Sequence, residues 1–199
     1  MKTLSRKEQI RIVAEELFKK RGYAATSMRH LAEAVGIQAA SLYNHYKSKE
    51  LLLRDICFDI ADLFFTEINK VKDLDLPPDK KLEMAIKVHI LVVTNNMNSA
   101  AVFLHEWRFL EKEQLNEYIE IRRKYRQVFV NILEEGVVQG YFKAVDTSLY
   151  SLSILSAINW VYDWYNPNGP LSPEELATQF TYKELATQFT YILLEGVRK

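Results

Sequence analysis

Between Gly36 and Tyr46 the chain places Gln38, Ala39, Ala40, Ser41, Tyr43, Asn44 and His45 around the apolar residues Ile37 and Leu42. On a short helix the two apolar residues turn toward a core and the others face out. The outward groups are short or hydrogen-bonding. Gln and Asn pair bidentately with adenine, Ala methyls meet thymine methyls, and Tyr or Lys holds phosphates, so this surface suits a nucleic-acid groove. The alternative is a three-helix corner that packs on the rest of the chain, with Tyr43 and Tyr46 in a core.

A second group lies mid-chain, in the run from Phe103 to Leu110, with Tyr125, Phe129 and Trp160 further on. Ligand cavities are mostly apolar with a few placed polar groups, so His105, Trp107, Arg108, Tyr125, Phe129 and Trp160 are candidate ligand-binding residues. The competing reading is ordinary core aromatics beside a solvated His-Glu-Arg edge. Arg122, Arg123, Lys124 and Arg126 form a cationic cluster that suits either a solvated face or a phosphate group. Catalytic chemistry finds no foothold. His105 and Glu106 are adjacent, so on a helix they diverge by ~100° and form no acid–base pair. The four His residues lack the helical spacing of a metalloenzyme, and no Gly-rich phosphate loop occurs. The expectation is a non-enzyme with no metal and no cofactor.

The elements that must position these residues are helical. Ile10, Val13, Ala14, Leu17 and Phe18 follow the spacing of a helix with one buried stripe, which closes at Gly22. Thr26 offers an N-cap to a short second helix containing Met28, Leu31 and Ala32, and Gly36 follows its end. Ala32 is small enough for a close crossing, and Gly36 supplies the turn to the third helix. Ser48 caps a fourth helix reaching about Val71. Later helices are predicted at about 79–97, 99–110, 111–139, 147–165 and 172–197. Within the last, Glu175 to Tyr182 recurs letter for letter as Glu184 to Tyr191, which is too few copies for a solenoid and reads as a recent duplication or as an error in the sequence.

Composition agrees. With 48% hydrophobic and 26% charged residues over 199 positions, the chain is neither disordered nor collagen-like. Six Gly and five Pro are too few for a many-stranded β fold, so the expected class is all-α. Apolar runs fall far short of the ~20 residues of a membrane span, and a lone cysteine, Cys57, forms no internal disulfide, so the expectation is a cytoplasmic protein without a membrane partner. Residues 1–50 hold ten of the 26 Lys/Arg but five of the 26 Asp/Glu, leaving 16 against 21 in the remainder. The basic end is the one with the groove-compatible helix.

The run from Thr26 to Ile37, continued from Ser41 to Leu52 and preceded by Phe18 and Gly22-Tyr23, resembles the DNA-binding signature of the TetR family of transcriptional regulators. The resemblance implies a three-helix helix-turn-helix DNA-binding domain at 1–46 and a helical ligand-binding and dimerisation domain at 47–199. It implies that Thr26, Tyr43 and Lys49 touch the DNA backbone, with Arg29 and the helix 38–45 at or in the major groove. One departure is Gln38, where the family usually has Ser or Thr. The function implied is that of a homodimeric repressor on a double-stranded DNA operator, released by a small-molecule effector such as an acyl thioester or another large apolar ligand. The dimer seam implied by family architecture uses Leu149, Leu152, Leu155, Leu176 and Phe180. A small-molecule-binding protein without DNA binding and a ligand-independent regulator remain the alternatives.

Overall fold

The structure, a computed structural model, describes residues 4–181. Among them are α1 (Arg6–Arg21), α2 (Met28–Val35), α3 (Ala39–His45), α4 (Lys49–Lys72), α5 (Pro78–Asn95) and α6 (Met97–His105). A 3₁₀ turn at Glu106–Phe109 precedes α7 (Lys112–Val138), α8 (Thr147–Asn159), α9 (Val161–Trp164) and α10 (Pro173–Thr181), and no strand occurs among the described residues. The second copy of the nine-residue repeat, and the predicted helix beyond Thr181, lie outside the described residues.

Two compact units divide the chain: residues 1–65 with 96–125, and residues 66–95 with 126–199. This division does not follow the one at residue 46. In the first unit most of the stripe read from the sequence is core: Ile10, Ala14 and Phe18 are sealed, with Leu31, Leu42, Leu52, Leu53 and Ile56, while Val13 and Leu17 are half-buried. A capping box starts α1, where the Ser5 hydroxyl accepts from the Glu8 amide at 3.2 Å and the Glu8 carboxylate accepts from the Ser5 amide at 2.7 Å. Gly36 ends α2 at φ 73°, a left-handed conformation that a Cβ would strain, and the Ile37 amide then donates to the Ala32 carbonyl at 3.0 Å.

The cap of α2 differs from expectation by one residue. Ser27, extended at φ −102° and ψ 161°, takes the position, its hydroxyl accepting from the His30 amide at 3.1 Å. Thr26 is 1% exposed, and its hydroxyl donates to the Gly22 carbonyl at 2.9 Å. Both residue types cap helices; the tertiary pull on Thr26 decides between them.

In the second unit α5 packs on α8, α9 and α10. The predicted helix at 147–165 is interrupted at Trp160, and the one at 99–110 ends in the 3₁₀ turn. His89, on α5, is buried; burial pulls its pKa from 6.5 down to about 3, opposed in part by a hydrogen bond with Asn159. The unfolded chain therefore takes up a proton as pH falls through 6.5 while the folded one does not. Stability is complete above that value and declines toward pH 3, by at most about 1.4 kcal/mol per unit. Urea midpoints at about pH 7 and about pH 5 should differ accordingly, and His89→Gln should flatten the difference.

Candidate nucleic-acid interface

The turn after α2 leaves α3 with its outward face free. Gln38, Ala39, Ala40, Tyr43, Asn44 and His45 are exposed and Ser41 half-buried, while Leu42 is sealed and Tyr46 buried. Gln38 stands at the α3 N-cap without a side-chain capping bond, which leaves its amide available.

Beside that face lies a recess of about 420 Å³ bordered by Ser27, Met28, Arg29, Tyr43, Lys47, Ser48, Lys49 and Glu50. Two helices begin there, α2 and α4, and the unpaired amides of a helix start favour an anion. Three cations stand at the rim. Arg29 pairs through Nε with the Glu33 carboxylate at 2.9 Å, a contact with both partners well exposed and therefore weak against a phosphate. Lys49 is held by Tyr23: its Nζ donates to the Tyr23 carbonyl at 2.8 Å and lies 3.9 Å above the ring. Tyr23 in turn donates its hydroxyl to the Glu50 carboxylate at 3.0 Å and packs edge-on against Phe18. Burial first, and then the Glu50 bond, raise the Tyr23 phenol, so it stays protonated and donating. The Glu50 carboxyl is held below its usual range, chiefly by its own backbone amide at the α4 start.

Of the residues the family resemblance implies, Arg29, Tyr43 and Lys49 meet in this recess, and α3 presents the rest next to it. Thr26 is the correction: its hydroxyl is spent inside the fold and reaches no surface phosphate. Ser27, Lys47 and Ser48 join the recess without having been named as DNA contacts. Ser27 and Ser48 carry a readable signal, since each precedes a helix start; Lys47 carries only its charge.

The six ligand candidates divide between the units. In the first, Trp107 stacks on Tyr118 with centroids 5.6 Å apart, and the Arg108 guanidinium lies 4.4 Å from the Trp107 centroid. Tyr125 is buried edge-on to Phe64 and Phe65, and His105 is exposed at the end of α6. In the second, Phe129 is sealed at 0% exposure and so belongs to a core, whereas Trp160 is 60% exposed. Trp160 borders an apolar recess of about 560 Å³ with Trp164, Leu171, Leu176, Gln179 and Phe180. Among the described residues no group of three or more His, Cys, Asp or Glu could hold a metal, and no helix is long and apolar enough to cross a membrane.

An exposed second helix of a helix-turn-helix pair, set beside a cationic recess, defines a helix-turn-helix DNA-binding protein. Comparison with known proteins agrees. The family described as bacterial regulatory proteins, tetR family, matches residues 10–56, and a tetracyclin repressor-like C-terminal domain matches residues 75–197. The chain is 31% identical over 179 residues to the HTH-type transcriptional repressor KstR2 of Mycolicibacterium smegmatis, covering 88% of this chain and 87% of that one. Among solved structures, AibR in complex with isovaleryl coenzyme A and operator DNA is similar at 30% identity and TM-score 0.78, over 89% of this chain and 96% of that one. PfmR from Thermus thermophilus is similar at 29% identity and TM-score 0.78, over 96% and 99%. The chain belongs to the TetR family of DNA-binding transcriptional regulators.

Proposed function

We propose that the protein is a homodimeric repressor that holds a pseudo-palindromic operator and is released by a large apolar effector, with a coenzyme A thioester as the favoured class. The recess where Arg29, Tyr43, Lys47 and Lys49 meet two helix starts carries the DNA part of this reading. Phosphates seated there fix the register of α3 in the major groove, where Gln38, Asn44 and the Ala39 and Ala40 methyls read base edges. The effector class is supported by the likeness to AibR, solved with isovaleryl coenzyme A and operator DNA. The work of the protein is binding, not catalysis.

Homodimers are typical of the family, and the α8 face supports a seam between copies. Leu149, Leu152 and Trp160 are exposed at 58%, 45% and 60% on that side. Leu176 differs from the seam expected of it: at 3% exposure it is buried within its own unit. Two copies would place their recognition helices about 34–36 Å apart, one turn of DNA, and an effector favouring another spacing would lower affinity by population shift.

Fluorescence anisotropy with DNA from upstream of the protein's own gene tests the reading. Specific, salt-dependent retention of that DNA, lost on adding octanoyl coenzyme A, is expected. Equal affinity for this DNA and for a scrambled duplex would leave a small-molecule-binding protein in its place. Retention that no thioester relieves would leave a regulator answering to another signal.

A further inference from the structure

We propose that Phe109, on the 3₁₀ turn after α6, is a positioning residue for DNA binding: it holds Tyr23, and Tyr23 holds Lys49 at the recess for a phosphate. The proposal rests on the reading that this recess faces the DNA backbone, and it names a group outside α1 to α4 that keeps the lysine in place.

A lysine side chain left free samples many rotamers, and ordering it on binding costs affinity. Lys49 is tied twice to a single residue: its Nζ donates to the Tyr23 carbonyl at 2.8 Å and lies 3.9 Å above the Tyr23 ring. An ammonium has three N–H donors, so the tie to the carbonyl leaves two for a phosphate. The place of Lys49 is therefore set by the place of Tyr23. Phe18 from α1 meets the Tyr23 ring edge-on with centroids 5.1 Å apart, and Glu50 from α4 accepts from its hydroxyl at 3.0 Å. Phe109 closes on the same ring, with 5.0 Å between centroids and 31° between planes. Phe18 and Glu50 belong to the DNA-reading end, whereas Phe109 comes from far along the chain.

Phe109 is not a core residue: it is 45% exposed, while its neighbour Leu110 is 6% exposed. Its turn is nonetheless firmly seated. Trp107 stacks on Tyr118 with centroids 5.6 Å apart and planes 11° apart, and Tyr118 is 1% exposed and donates its hydroxyl to the Phe103 carbonyl. The Leu110 amide donates to the Trp107 carbonyl at 3.1 Å. Successive residues of a 3₁₀ helix are ~120° apart, so Trp107 and Phe109 point to different sides of the turn. The first grips the aromatic residues of α6 and α7, and the second bears on Tyr23. All of these residues lie within the first compact unit. The turn is thus a strut that ends on the residue holding Lys49.

Fluorescence anisotropy of the intact protein over a salt series, on the upstream DNA and on a scrambled duplex, tests this as a double-mutant cycle. Lys49→Gln should lower the salt slope by about 1.8 in a dimer and cost roughly 25-fold at about 150 mM salt, at about fivefold per contact. Phe109→Ala should cost roughly fivefold on both duplexes, the ordering of one freed lysine in each copy, with the slope unchanged because the charge remains. Added to Lys49→Gln, it should cost less than about twofold, since no lysine is left to position. Phe109→Tyr, which keeps the ring, should bind as the wild type does. The unfolding midpoint of Phe109→Ala should stay near wild type, because a half-exposed ring leaves no sealed void; if cooperative unfolding is lost, the same cycle is run with Phe109→Leu. Equal cost in the presence and absence of Lys49, or no cost at all, would overturn the role of Phe109 and leave the recess reading intact. An unchanged slope in Lys49→Gln would overturn the recess reading, and the role of Phe109 with it.

Discussion

A double variant, Lys47→Gln with Lys49→Gln, should lose operator affinity by roughly 600-fold at about 150 mM salt. Each copy of the recess contributes both lysines, so a dimer loses four phosphate-directed cations. At ~0.9 released counterions per contact, the slope of log affinity against log salt should fall by about 3.6, and each contact is worth about fivefold at that salt. The loss should be the same on cognate and scrambled DNA, because phosphates carry no sequence. Lys49 also sits on Tyr23, so the thermal midpoint of the variant must be measured beside its affinity. A folded variant with an unchanged salt slope would show that the recess does not face the DNA backbone.

Phe129→Ala should destabilise the protein by about 3–5 kcal/mol, the range for deleting a sealed aromatic ring. Phe129 has no exposure, and a ring that touches only protein leaves a void when it is removed. The midpoint of urea unfolding should fall without a change in slope. The expectation from sequence was that Phe129 lines a ligand cavity; truncation would then spare stability and alter the response to effector. A stability within about 1 kcal/mol of wild type would restore that role.

The DNA-reading end was legible because its signals are local. The stripe of Ile10, Ala14 and Phe18, the glycines ending α1 and α2, and the polar face of α3 each depend on residues within a few turns of one another, and all reappear in the structure. The family signature lies in that same stretch. The one local error, Thr26 for Ser27 at the α2 cap, arose where two hydroxyl residues stand side by side and the Gly22 carbonyl claims one of them.

The helical body was legible only as helices. Helical spacing and turn residues by themselves determined an all-α chain, and in α1, α2 and α3 they also determined which face is buried. Among the aromatic residues of the body, sequence could not rank one above another. Packing made Phe129 core, left Trp160 exposed, and sealed Tyr118, which no sequence signal marked, in a stack with Trp107. The physical reason is range. A helix face is set by neighbours three and four residues away, whereas an aromatic ring's burial is set by whichever distant segments fold against it.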